Sequence, residues 1–213
     1  MGYLIKIMPQ ILSGLTVTLE LFAITLLLSL PLGVIVAVLR TSKSIILKKL
    51  SELYVLIMRG TPLLLQIIVI FYGLPILNIK FDRFPAAILA FVLNYAAYFG
   101  EIFRAGLQSV DSGQTEASKV LGFNKKQTFF KIILPQAIKK VVPPVANEIT
   151  TLVKDTSLVY VVGLDEMLKI GKIAANRDVS LVPYIMVGVV YLLVIAILSK
   201  MLSKVEQKFD YYN

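Results

Sequence analysis

The chain contains no cysteine and no histidine. Without cysteine there is no disulfide framework, no thiolate metal site and no cysteine nucleophile. Without histidine the commonest general base and the commonest metal ligand are missing, which sets aside most hydrolase and metalloenzyme chemistry. Charge is also scarce: 16% of the 213 residues are charged, against about 25% in a soluble domain. The hydrophobic share is 57% and the mean hydropathy +0.81. Runs free of Asp, Glu, Lys and Arg cover 21–39, 60–79, 84–100 and 179–199, with lengths of 19, 20, 17 and 21 residues. A helix needs about 20 apolar residues to cross the hydrocarbon core, so the chain reads as a membrane protein. The surplus of 22 basic over 13 acidic residues then reflects cytoplasmic loops rather than nucleic acid.

Nucleotide chemistry is missing as well. No G-x-x-x-x-G-K-[ST] occurs, so the chain has no P-loop for ATP, and glycines 100, 106 and 113 form no G-x-G-x-x-G fingerprint. Glu101, Glu148 and Asp155 show no recognisable catalytic spacing. Nothing argues for catalysis within the chain. Lys6 is the one early charge and no small-residue cleavage pattern follows it, so the first apolar stretch reads as a retained helix rather than a signal peptide.

Five spans are expected, at about 10–39, 53–79, 84–110, 137–163 and 180–203. The fourth carries Lys139, Lys140, Glu148, Lys154 and Asp155, and Pro143-Pro144 must kink it. Such a span has to sit against protein or a watery cavity. Loop and tail basic residues number 11 on one side and 6 on the other; the richer side should be cytoplasmic, placing the amino terminus outside and the carboxyl terminus inside. The segment 111–135 then faces the cytoplasm. Ala117, Val120 and Leu121 make a narrow helical stripe, and Gly122 stands where a helix C-terminal glycine belongs. Phe129, Phe130, Ile133 and Leu134 continue at helical spacing to Pro135, so two short helices joined at Gly122 are expected. The plainer reading of this segment is a membrane-surface amphipathic helix.

Glu116-Ala117-Ser118, three residues, Gly122, nine residues and Ile132-Ile133-Leu134-Pro135 together resemble the cytoplasmic signature of ATP-binding cassette importer permeases, E-A-A…G…I-x-L-P. Ser118 replaces the second alanine. Arg59-Gly60-Thr61-Pro62-Leu63, Glu101-Ile102-Phe103-Arg104-Ala105-Gly106, Gly113-Gln114 and Lys154-Asp155-Thr156-Ser157-Leu158 look like the polar amino acid branch of that family. The resemblance implies an all-α polytopic fold of the type I importer permease kind, one domain over 1–213, in the bacterial inner membrane. It implies that about 111–135 carries a coupling helix, with Glu116, Ala117, Ser118 and Gly122 docking in a separate ATPase that binds the ATP and Mg. The implied partners are two such ATPase subunits, an extracytoplasmic amino-acid-binding protein and a second permease subunit. That second subunit is taken as another copy of this chain, with a related chain as the alternative. No nucleic acid is implied.

Polar residues inside a span are functional candidates. Asn94, Tyr95 and Tyr98 on the third span, with Glu148, Asp155 and Ser157 on the fourth, are the candidate substrate groups, since an amino acid needs cationic, anionic and hydrogen-bonding partners. The carboxylates lean toward a basic substrate such as arginine. The plainer reading is hydrogen bonding between helices. Glu101 with Arg104 reads as a structural or gate ion pair, Arg59 as reaching headgroups or a carboxylate, and Glu20 as lining the outer vestibule. A secondary transporter or channel would predict inverted repeats, which are not seen.

Overall fold

The computed structural model of the chain describes residues 2–209. Met1 and residues 210–213, the ends of the single domain expected over 1–213, lie outside them. Among the described residues every element is helical: α1 Gly2–Arg40, α2 Ile45–Gly60, α3 Leu63–Ile68, α4 Arg83–Gln108, α5 Ser112–Val120, α6 Lys125–Thr128, α7 Leu134–Asp155, α8 Met167–Asp178 and α9 Val182–Lys208. One end of the bundle carries α5 and α6, and the other carries α8.

The helix α4 is the centre of the bundle, with Phe91, Tyr95 and Phe99 essentially inaccessible. Along its flank runs α1, whose buried stripe Ile7, Ile11, Gly14, Thr18, Leu21, Thr25, Ser29 and Gly33 recurs every three or four residues. Small side chains in that stripe let the two helices touch. A Cβ on Gly33 would stand 2.6 Å from the Phe99 Cβ, and one on Gly100 2.5 Å from Val36. The opposite face of α1 exposes Leu27, Val34, Ile35 and Val38, as a helix bordered by lipid does.

Near its start, α1 meets the beginning of α8. Glu166 is fully buried there and caps α8, accepting bonds of 2.6 Å from the N–H groups of Leu168 and Lys169. The Tyr191 hydroxyl on α9 donates to the same carboxylate at 3.3 Å. A Cβ on Gly14 would meet backbone, the Met167 nitrogen at 2.8 Å, and backbone cannot step aside as a side-chain end can. Gly14→Val is therefore expected to lower the thermal midpoint of the purified protein, at a cost of about 1–3 kcal/mol. An unchanged midpoint would contradict this close contact.

Ile5–Arg40, Arg83–Gln108 and Val182–Lys208 are long and apolar enough to cross a membrane. Ile45–Gly60 and Leu63–Leu77, bent by 103° at their break, make a fourth crossing if taken as one broken span. Missing from that set is α7, which carries the five charges noted above and both internal prolines. It packs against α4 and α9, the protein contact its polarity requires.

Two π turns, Val69–Gly73 and Phe129–Ile133, each lead into a Leu-Pro step. Proline has no N–H and its ring crowds the carbonyl four residues back. In both places the preceding leucine reaches back five residues, Leu74 to the Val69 carbonyl and Leu134 to that of Phe129, and the wider turn makes room for the ring. The helix therefore continues from α6 into α7 instead of ending at Pro135, which corrects the expectation of a second short helix there. The break at Gly122 stands as read. Its φ is +78°, the Gly122 N–H bonds to the Lys119 carbonyl at 3.0 Å and the Phe123 N–H to that of Ser118 at 2.9 Å, a Schellman closure of α5.

Candidate functional site

The bend between α2 and α3 is built by one missing donor. In a continuous helix the residue-62 N–H would bond to the Met58 carbonyl, but Pro62 has none. The Asn94 side-chain amide on α4 donates to that carbonyl instead, at 2.8 Å, and so does Gln66 at 2.9 Å. Asn94 also donates to Gln66 Oε1 at 3.0 Å, and Gln66 to the Thr61 hydroxyl at 2.8 Å. Asn94 is 3% exposed. Both of its amide hydrogens are thus committed to holding the bend, so its contribution to the site is mainly to position Gly60, Thr61 and Pro62.

Those three residues form one wall of a cleft of about 540 Å³, which Arg59, Leu63, Leu64, Asn94, Tyr95, Tyr98, Glu148, Thr151, Asp155 and Leu158 complete. Five of the six expected substrate residues are brought together here. The sixth, Ser157, is not brought in with them: it does not line the cleft, and its hydroxyl donates to its own helix at the Lys154 carbonyl, 2.8 Å away. From Thr156 to Val162 the helix tightens to three residues per turn, which shifts the angular positions that α-helical spacing assigns. Tyr95 is 2% exposed, and its hydroxyl donates to Asp155 Oδ2 at 2.8 Å, fixing that carboxylate. Glu148 and Asp155 are half-buried, one helical turn either side of Thr151. The cleft therefore holds two carboxylates and one guanidinium.

Toward the α5 end, Glu101 gathers arginines from three helices. Arg40 on α1 reaches its Oε2 at 2.5 Å, and Arg104 holds both oxygens at 2.6 and 2.9 Å. Arg59 on α2 stays at 4.0 Å, its guanidinium carbon 5.0 Å above the Tyr98 ring. The i, i+3 pair with Arg104 is as expected. The Arg40 partnership was not read from the sequence; an arginine ending a long apolar span was its one signal.

In α5, Glu116 and Ala117 are exposed, as are the flanking Val120 and Leu121. Ser118 is not on that face. It is 2% exposed, with its hydroxyl 3.0 Å from that of Thr128 across the turn. It serves to hold α5 against α6, while Glu116, Ala117, Val120, Leu121 and Gly122 are exposed.

Residues 29–211 match the family described as binding-protein-dependent transport system inner membrane component. The L-cystine transport system permease protein of Bacillus subtilis is 38% identical over 208 residues, covering 96% of this chain and 88% of that protein. The arginine transport system permease protein of the same organism is 35% identical over 202 residues, covering 94% and 92%. A putative glutamine transport system permease protein of Rickettsia prowazekii is 34% identical over 210 residues, covering 97% of this chain and 96% of that protein. The crystal structure of an amino acid ABC transporter with histidines superposes with a TM-score of 0.91 at 32% identity, covering 97% of both chains. An inward-facing methionine ABC transporter shares the fold, with a TM-score of 0.73 at 19% identity, covering 98% of this chain and 99% of that one. A broken helix braced by Asn94, a signature helix closed at Gly122 and a match along most of its length place the chain in the family of binding-protein-dependent inner membrane components, as the permease subunit of an ATP-binding cassette importer.

Proposed function

We propose that this permease subunit imports a polar amino acid with a basic side chain, such as arginine. The observation that carries the reading is the charge of the cleft: Glu148 and Asp155 with Arg59. That set complements a substrate with two cationic groups and one carboxylate. Buried or half-buried charges in a span are otherwise costly. A neutral amino acid is the second reading, favoured by the cystine and glutamine named for two relatives. Binding of radiolabelled arginine, glutamine and cystine to the purified complex decides between them. Arginine binding weaker than that of both others would retire the first reading.

The whole chain is one permease domain of five crossings, with α7 as the fourth, in the bacterial inner membrane. Two permease subunits face each other, this chain and a second copy of itself. Beneath them sit two ATPase subunits that bind the ATP and Mg, and an extracytoplasmic binding protein delivers the amino acid. Closure of the ATPases moves the coupling segments, 111–135 in each permease, and α7 passes that movement to Glu148 and Asp155 because α6 is continuous with it. Glu101, Arg104 and Arg59 form the ion cluster at the inner end, where a gate would open. Cysteines replacing Lys48 and Lys204 should react with an impermeant maleimide only from the cytoplasm, and one replacing Lys80 only from outside. Labelling at Lys204 in intact cells would overturn the five-crossing topology.

A further inference from the structure

Arg59 belongs to two clefts at once. It lines the one holding Glu148 and Asp155, and a second of about 560 Å³ that runs past Arg40, Glu52, Tyr98 and Glu101. Of the three arginines around Glu101 it is the least engaged. Arg40 and Arg104 approach to within 2.9 Å, whereas Arg59 stays at 4.0 Å with its side chain 40% exposed. Glu101 is thus satisfied by two close guanidinium groups, and the planar fork of the third is held mainly over the Tyr98 ring. Among the described residues it is also the one cationic side chain lining the acidic cleft.

An amino acid entering that cleft brings a carboxylate as well as an ammonium group. Glu148 and Asp155 repel that carboxylate, most of the remaining lining is neutral, and Arg59 is the one lining side chain that attracts it by charge. An arginine fork matches a carboxylate with two parallel hydrogen bonds. We infer that Arg59 is the specificity-determining group for the α-carboxylate, and that taking the substrate draws it away from Glu101. The cleft then reads both ends of the molecule, the carboxylates holding the cationic groups and Arg59 the anionic one. Occupancy is registered in the inner ion cluster because the same guanidinium serves both clefts. The inference rests on the proposed amino acid site and adds the orientation of the substrate within it.

The test compares each amino acid with its α-amide, in which the carboxylate is neutral, on the purified permease–ATPase complex in lipid nanodiscs without binding protein. The probes are L-arginine with L-argininamide, and L-glutamine with L-glutaminamide. Wild-type complex should prefer the amino acid to its amide by roughly ten- to a hundredfold, the worth of one charge-assisted contact. Arg59→Gln should lose that preference while keeping its affinity for the amide, which also shows that the variant is folded. Arg59→Lys should restore part of it as a point charge. If Arg59→Gln weakens acid and amide equally, or leaves the preference intact, Arg59 does not read the carboxylate. If glutamine binds and arginine does not, the basic-substrate reading fails while Arg59 is still judged on the glutamine pair. Wild-type complex that binds no amino acid removes the site and this inference together.

Discussion

Replacing Asp155 by asparagine is expected to weaken arginine and lysine binding by about ten- to a hundredfold, and glutamine binding little. The substitution removes a charge and keeps a shape. The carbonyl oxygen of the new side-chain amide would still accept the Tyr95 hydroxyl now 2.8 Å from the carboxylate, so the tie between α4 and α7 survives. What is lost is a charged hydrogen bond to the substrate, worth roughly 1.5–3 kcal/mol, at about tenfold in affinity per 1.4 kcal/mol. Glu148→Gln is the parallel measurement. Whichever variant loses discrimination between arginine and glutamine identifies the carboxylate that faces the side chain. Tyr95→Phe should act more weakly and through position, since it frees Asp155 to turn without discharging it. Equal losses for every amino acid, with a fall in thermal stability, would mean that Asp155 only bridges helices.

That experiment separates two roles that the sequence could not. Glu148 and Asp155 were legible as candidates because charge inside a span is rare, and the heptad between them puts both on one face of α7. Ser157 stood two residues on and looked equivalent, but the change to three residues per turn at Thr156 cannot be seen in side-chain types. Asn94 was legible as polar and central. Its commitment to Met58 and Gln66 was not, because those partners lie 36 and 28 residues away and only the folded bend creates the orphaned carbonyl. The proline that causes the bend was visible, but the residue that answers it was not. The placement of Ser118 was hidden for a similar reason. Its match to the small-residue signature hid the fact that its hydroxyl turns inward to Thr128. Local spacing located the signature, the glycine stop and the spans with few charges. It required protein or water beside α7 but could not name its neighbours, which are α4 and α9.

The proposed coupling segment gives the other large expected effect. Gly122→Leu should leave amino acid binding by the permease in place and cut amino-acid-stimulated ATP hydrolysis by about tenfold or more, the consequence of losing at least about 1.4 kcal/mol of docking. Two physical causes combine in that variant. At φ +78° a residue with a Cβ is strained, by roughly 1–2 kcal/mol, so α5 closes less well. The site of the new side chain is empty within 4 Å, so leucine meets nothing in this chain and projects from the exposed surface beside Val120 and Leu121. Gly122→Asn separates the causes, because asparagine tolerates a left-handed backbone and still adds bulk. If asparagine also uncouples hydrolysis, crowding at the ATPase is responsible; if it does not, the Schellman closure is. Glu116→Lys tests the same surface through charge. Glu116 is exposed at the middle of α5, so reversing it should weaken docking without loosening the bundle. Ser118→Val should behave differently, lowering thermal stability through the buried hydroxyl pair with Thr128 before it touches the exposed face. Normal stimulated hydrolysis in both Gly122→Leu and Glu116→Lys would show that the ATPase does not dock on this surface.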